Sequence, residues 1–116
     1  DSDSAVIILN RIYSSFKNTE REWAKSLISG TLKIIINQRL VKKSGGGLIP
    51  ATEIFTMNSS AKSIIKSGKF DQLKSVIQTS RQDGMQDLDS SLKDLVNKGL
   101  VNAEEVEKLM TNGENL

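Results

Sequence analysis

Lys33-Ile-Ile-Ile-Asn-Gln-Arg-Leu-Val-Lys-Lys-Ser-Gly-Gly-Gly-Leu-Ile-Pro-Ala-Thr-Glu-Ile-Phe-Thr-Met57 reads as two strands and a turn, in a chain whose other segments read as helix. Side chains alternate along a strand, so Ile34, Ile36, Gln38 and Leu40 share one face, and Ile35, Asn37, Arg39 and Val41 the other. Ile49, Ala51, Glu53 and Phe55 line up in the same way on the return strand. Ser44-Gly45-Gly46-Gly47 supplies the positive φ angles of a four-residue hairpin loop. Pro50 has no N–H to give a ladder, which predicts a free edge or a local break at that point. A lone hairpin is marginal in water, so the helices around it must cover it. The expected class is α+β, mostly helical.

Working outward, Asp1-Ser-Asp-Ser4 offers N-cap oxygens to a helix from Ala5 to about Phe16. Ala5, Ile8, Leu9, Ile12, Tyr13 and Phe16 recur at helical spacing on its inner face. Thr19-Glu-Arg-Glu22 fits a capping box that opens a second helix to about Leu32, with Trp23, Ala24, Leu27, Ile28 and Thr31 as its inner stripe. Gly30 weakens that helix unless a neighbour packs closely against it. After the hairpin, Asn58 or Ser59 caps a short helix ending at Gly68. A further helix lies between Asp71 and Gly84, one runs from Met85 to Lys98 with Gly99 just beyond, and a last one opens at Asn102 and stops at Asn112-Gly113.

Composition excludes several chemistries. The 116 residues contain no cysteine and no histidine, which removes disulfides, thiol catalysis and the commonest metal ligand. No apolar run approaches a membrane span, and a soluble cytoplasmic chain is expected. The net charge of +2 hides an asymmetry: residues 1–81 hold 13 basic and 6 acidic side chains, residues 82–116 hold 3 and 8. The lysines are dispersed and aromatic residues few, so no nucleic-acid partner is expected.

No complete active site is legible. Gly45-Gly46-Gly47 is not followed by Gly-Lys-Ser/Thr, and Gly68-Lys69 has no glycine five residues before it, so no phosphate loop is present. Asp83, Asp87 and Asp89 gather where a helix is expected to start, where the macrodipole favours negative charge. Glu53, between apolar strand neighbours, predicts a structural ion pair with Arg39 as partner. Neither catalytic residues nor a metal site are expected in this chain.

One longer pattern is more specific. Gly84-Met-Gln-Asp-Leu-Asp-Ser-Ser-Leu-Lys-Asp-Leu-Val-Asn-Lys-Gly-Leu100 closely resembles the Gly-Met-Gln-Thr-Leu-Asp signature of the PilT-type ATPases, the type IV pilus retraction motors of twitching motility. Gly84, Met85, Gln86, Leu88 and Asp89 carry the match. Ser75-Val-Ile-Gln-Thr79, Gln38-Arg-Leu40, the glycine turn, Ala51-Thr-Glu-Ile54, Arg11-Ile12 and Phe16 fit the same family in order and spacing. Ser4-Ala5 matches the end of the family's His-Thr-Asn-Ser-Ala box, with Asp1 standing where the histidine falls.

The resemblance implies a C-terminal portion. Residues 1–57 then end a RecA-like P-loop ATPase domain, with the hairpin at the edge of its motor sheet, and residues 58–116 form a helical C-terminal subdomain. Walker A, Walker B and the catalytic glutamate fall upstream, so this stretch alone is expected to be inactive and to hold no cofactor. The implied parent is a cytoplasmic homo-hexamer using ATP and Mg at the inner face of the cytoplasmic membrane. Its partners are the pilus inner-membrane machinery, and it meets the membrane only through them. The family's retraction motif, Ala-Ile-Arg-Asn-Leu-Ile-Arg-Glu, falls on Ser60-Ala61-Lys62-Ser63-Ile64-Ile65-Lys66-Ser67. Both basic positions and the apolar pair are kept there, while the final acid is not. Leu48 replaces the arginine usual after the turn. These departures leave a related pilus-assembly or type II secretion ATPase as the neighbouring alternative. Without the resemblance, the chain reads as a small helical interaction module with no activity.

Overall fold

Alternation does produce the hairpin. The computed structural model describes residues 4–112, with β1 (Ile34–Lys42) antiparallel to β2 (Leu48–Thr56). The register runs from Ile34 opposite Thr56 to Lys42 opposite Leu48, leaving five residues in the connection rather than four. The Lys43 N–H closes it onto the Gly47 carbonyl at 2.9 Å, and Gly45, Gly46 and Gly47 take φ of 83°, 112° and 83°, which a Cβ would strain.

The ladder bonds fall on odd-numbered pairs, as the Met57 N–H to Lys33 carbonyl bond at 3.0 Å and the Lys43–Gly47 closure show. Pro50 is an even-numbered residue, so its missing N–H points away from β1 and costs the ladder nothing. The expected free edge is there without any break.

Odd-numbered side chains face inward. Val41, Ala51, Glu53 and Phe55 are buried, whereas Ile34, Ile36, Leu40 and Leu48 are 49–62% exposed. Asn37, Arg39 and Glu53 thus lie on the covered face, and much of the hairpin's isoleucine and leucine faces outward.

Among the described residues six α-helices surround the hairpin: α1 (Ala5–Ser14), α2 (Arg21–Thr31), α3 (Ser59–Ser67), α4 (Leu73–Thr79), α5 (Leu88–Asn97) and α6 (Ala103–Asn112). Two cores divide them. Ala5 and Leu9 of α1, Ile28 of α2, Phe55 of β2, Ala61 and Ile65 of α3, Leu73, Val76 and Ile77 of α4, and Met85 make one. Val41, Ala51, Leu92, Val101 and Val106 make the other, near the hairpin tip. The molecule measures 52 × 28 × 20 Å.

Several boundaries differ from expectation, each for a local reason. Helix α1 stops at Ser14, where the Ser15 and Phe16 N–H groups tighten onto the carbonyls three residues back, Ile12 and Tyr13. The glutamate that reaches back before α2 is Glu20, accepting from the Lys17 N–H at 3.1 Å. A 3-10 turn over Asn18–Glu20 follows, and α2 begins at Arg21. Its inner line is Ala24, Ile28 and Ser29, leaving Trp23 59% exposed. Trp23 instead meets Phe16 edge-on at 5.8 Å.

The helix expected between Asp71 and Gly84 is interrupted at Ser80, whose carbonyl accepts from both Asp83 and Met85. The caps fare better. Ser4 accepts from Ile7, Asn58 from Ala61 and Asp87 from Ser90, while Gly68 and Gly99 take the left-handed turn expected after a helix. Asp1, Asp3 and Gly113 lie outside the described residues.

Candidate functional site

Helix α3 is built as a fixed ledge. Ala61 and Ile65 are fully buried and Ile64 packs against the same core, which orients the opposite face outward. Asn58 secures the start: its Oδ1 accepts from the Ala61 N–H at 2.9 Å, and its Nδ2 donates to Asp83 Oδ2 at 2.9 Å and Ser80 Oγ at 3.3 Å. At the other end the Gly68 position lies against Lys25 of α2, where a Cβ would come within 3.1 Å of Lys25 Cε.

That anchor is itself braced. Lys25 pairs with Glu22 at 3.0 Å, and this hydrogen bond, against a smaller opposing effect of burial, raises the ammonium's pKa. Lys25 and Arg21 stand 5.9 and 5.3 Å from the centre of the Tyr13 ring, which meets Phe70 edge-on at 5.1 Å.

The outward face of α3 carries Ser59, Ser60, Lys62, Ser63, Lys66 and Ser67, all exposed. No carboxylate lies on the helix. Lys62 and Lys66 are one turn apart, and among the described residues no ion pair or side-chain hydrogen bond holds either ammonium. The positions of the retraction-like stretch therefore split cleanly, with its apolar pair turned into the core and its basic pair turned out.

The signature stretch is placed differently from its expected helix. Met85 is buried in the first core, and Gln86 is extended, exchanging backbone bonds of 2.9 and 3.0 Å with Ile54 on the outer edge of β2. The Gln86 side chain donates to the Thr52 carbonyl at 2.7 Å, and the Thr52 N–H donates to Ser91 Oγ at 2.9 Å. Asp87 then caps α5, and Leu88 enters the second core. Burial pushes the Asp87 carboxyl up, but hydrogen bonds from Ser90 and Gln78 outweigh it and leave the pKa below the ordinary value.

Gly84, Met85, Gln86 and Leu88 thus form a clasp that joins both cores to β2. Asp89 in the first turn of α5 leaves Oδ1 buried and unbonded, as does Arg39 with Nη1. Sequence reading missed Thr52 and Ser91 as partners in this clasp. The placement of Gly-Met-Gln before a helix was the available signal, but periodicity extends the helix through it.

The Glu53–Arg39 ion pair is not formed. Register sets Glu53 opposite Asn37 and Arg39 opposite Ala51. Glu53 Oε1 instead accepts from the Ala5 N–H at 2.8 Å and from Asn37 Nδ2 at 3.4 Å, tying α1 to the hairpin.

No group of residues able to hold a metal ion occurs among the described residues. A groove of about 330 Å³ between α1 and α2 is lined by Ile12, Phe16, Leu27, Ile28, Thr31 and Leu32, with no cation for a phosphate. The three-glycine turn is exposed, and a Cβ added at any of its glycines would meet nothing within 4 Å. These residues do not fit a nucleotide.

No family model matches the chain. It is 39% identical over 101 residues to the type IV pilus retractation ATPase PilT of Pseudomonas aeruginosa, covering 87% of this chain and 29% of that protein. A twitching motility protein of Neisseria gonorrhoeae is 34% identical over 109 residues, covering 93% and 29%. The chain thus spans less than a third of the length of these relatives. A crystal structure of the pilus retraction motor PilT with bound ADP superposes with a TM-score of 0.81 at 27% identity, over 99% of this chain and 32% of that one. The Legionella pneumophila ATPase DotB gives 0.77 at 16% identity, over 97% and 30%, a likeness of fold alone. Agreement in sequence and in fold over nearly all of its residues places this chain in the PilT family.

Proposed function

We propose that these residues are the C-terminal portion of a hexameric pilus retraction ATPase, which couples ATP hydrolysis to pilus disassembly in twitching motility. The relationship to Pseudomonas PilT over 87% of the chain carries this reading. Residues 1–57 are then the end of the RecA-like domain, and residues 58–116 the helical C-terminal subdomain. The parent binds ATP and Mg outside this stretch, a reading supported for the nucleotide by the ADP in the PilT crystal structure. The parent works at the inner face of the cytoplasmic membrane with the pilus inner-membrane machinery. No helix among the described residues is long and apolar enough to cross a membrane, in keeping with that placement.

Within this reading, the outward face of α3 is the surface that passes motion on, and the Gly84–Leu88 clasp makes α3 to α6 move with β2. DotB keeps the secretion-ATPase alternative in view, but its likeness is one of fold, whereas the relatives at 34–39% identity are pilus and twitching proteins. The test is deletion of the parent gene in a piliated host. Pili should still assemble while retraction and twitching stop, and the full-length gene should restore both. Loss of secretion with normal twitching would select the alternative.

A further inference from the structure

Resting on that reading, we propose that Glu53 is a positioning residue for ATP hydrolysis in the parent, holding the point at which the chain enters α1 from the nucleotide-binding portion. Glu53 is 8% exposed, yet no ion pair among the described residues holds its carboxylate. Its Oε1 accepts from the Ala5 N–H at 2.8 Å and from Asn37 Nδ2 at 3.4 Å. Ala5 is the first residue of α1, and Ser4 Oγ accepts from the Ile7 N–H at 3.3 Å, so the helix start is held from two sides. A helix start offers free N–H groups and the positive end of its dipole, which a carboxylate satisfies well. Burying a carboxylate without a cation is costly, so its use here is placement rather than stability.

Glu53 also stands between the two residues that carry the clasp. The Thr52 N–H donates to Ser91 Oγ, the Thr52 carbonyl accepts from the Gln86 side chain, and Ile54 exchanges backbone bonds with Gln86. Residue 53 therefore grips α1 on the covered face of β2, while residues 52 and 54 hold α5 and its lead-in at the outer edge. Three consecutive residues join the entry of α1 to the helices that follow the hairpin. A shift of α1 against β2 moves whatever precedes Ser4 relative to those helices, and a displacement of about 1 Å far from the reacting atoms can cost about a hundredfold in rate.

The experiment measures steady-state phosphate release from Mg-ATP, and thermal unfolding, for the full-length parent and its Glu53→Ala, Glu53→Gln and Glu53→Asp variants. Ile77→Val, a buried substitution outside the Ala5 bond, serves as the stability control. Glu53→Ala should lower kcat at least about tenfold and leave KM for ATP unchanged. Glutamine keeps an oxygen within reach of the Ala5 N–H and should retain most of the turnover. Aspartate is one methylene shorter and should lose turnover as alanine does. Ile77→Val should melt earlier and turn over as the wild type does. Normal kcat in the alanine variant, a rise in KM alone, or a glutamine variant as slow as the alanine one overturns the proposal. A kcat that follows melting temperature across all four variants makes Glu53 merely structural and overturns it too. If the alanine variant does not fold, the aspartate and glutamine variants decide, and equal turnover in the two overturns the positioning role. A wild-type parent without turnover overturns the underlying function instead.

Discussion

At the scale of single residues, burial and geometry separate side chains that look alike in sequence. Gly30 sits near the end of α2, where an added Cβ would meet nothing within 4 Å and φ is not unusual. Close packing does not require it, so Gly30→Ala should stabilise the chain by about 0.5–1 kcal/mol. Urea denaturation of the 116-residue protein checks this, and a loss of stability would show that the site is tighter than its geometry. Asp87 supports α5 through a carboxylate whose folded-state pKa is depressed. That contribution is present above the ordinary carboxylate pKa and is lost as pH falls through the lower folded value. Asp87→Asn should therefore flatten the acid side of the stability curve, read as urea midpoints across an acid pH series. Glu53 illustrates what sequence leaves open at this scale. Its burial was legible from its apolar neighbours, but its partner was not, because cross-strand register and the path of α1 select Ala5 and Asn37 over Arg39.

At the scale of elements, the hairpin and the positions of most helices were legible, since period-2 and period-3.6 patterns and glycine stops record them directly. The breaks at Ser80 and at Met85–Gln86 were not. The first rests on a carbonyl shared by two amides and the second on backbone bonds to a strand distant in the chain, which helical periodicity does not record. The clasp makes a specific prediction about the two edges of the sheet. Thr52 and Ile54 amides are bonded to Ser91 and Gln86, whereas the outward amides of Ile36, Gln38 and Leu40 on β1 have no partner among the described residues. Hydrogen exchange of dilute protein should be slow at the first pair and fast at the second set. At high concentration the open β1 edge and its bare Ile36 and Leu40 should drive self-association, seen by sedimentation and by new protection along β1. Gln86→Ala leaves the Thr52 carbonyl unpaired and should cost about 1 kcal/mol, with exchange at Thr52 and Ile54 accelerating first. Equal exchange along both edges would contradict the clasp.

For the whole molecule, two cores are strung along one hairpin, with apolar side chains bare on its outer face. Under the proposed function, the rest of a longer parent packs over the exposed Ile34, Ile36, Leu40 and Leu48. Ile65→Ala should cost roughly 2–4 kcal/mol and impair the fold generally, measured by thermal unfolding. Lys62→Ala with Lys66→Ala removes no buried group and should leave the melting curve nearly unchanged. Family membership was legible because the Gly84–Leu100 stretch is long and ordered. The outward row on α3 was only partly so, since sequence assigns its lysines to an adjoining face but does not show the Asn58 bonds that fix the helix start. The central claim, that this chain is the non-catalytic end of a retraction ATPase, is tested most directly by phosphate release from Mg-ATP, comparing the purified full-length parent with the 116-residue chain. Turnover by the parent and none by the chain is the predicted result. Turnover by the isolated chain that survives repurification, or a parent with no turnover, would contradict it.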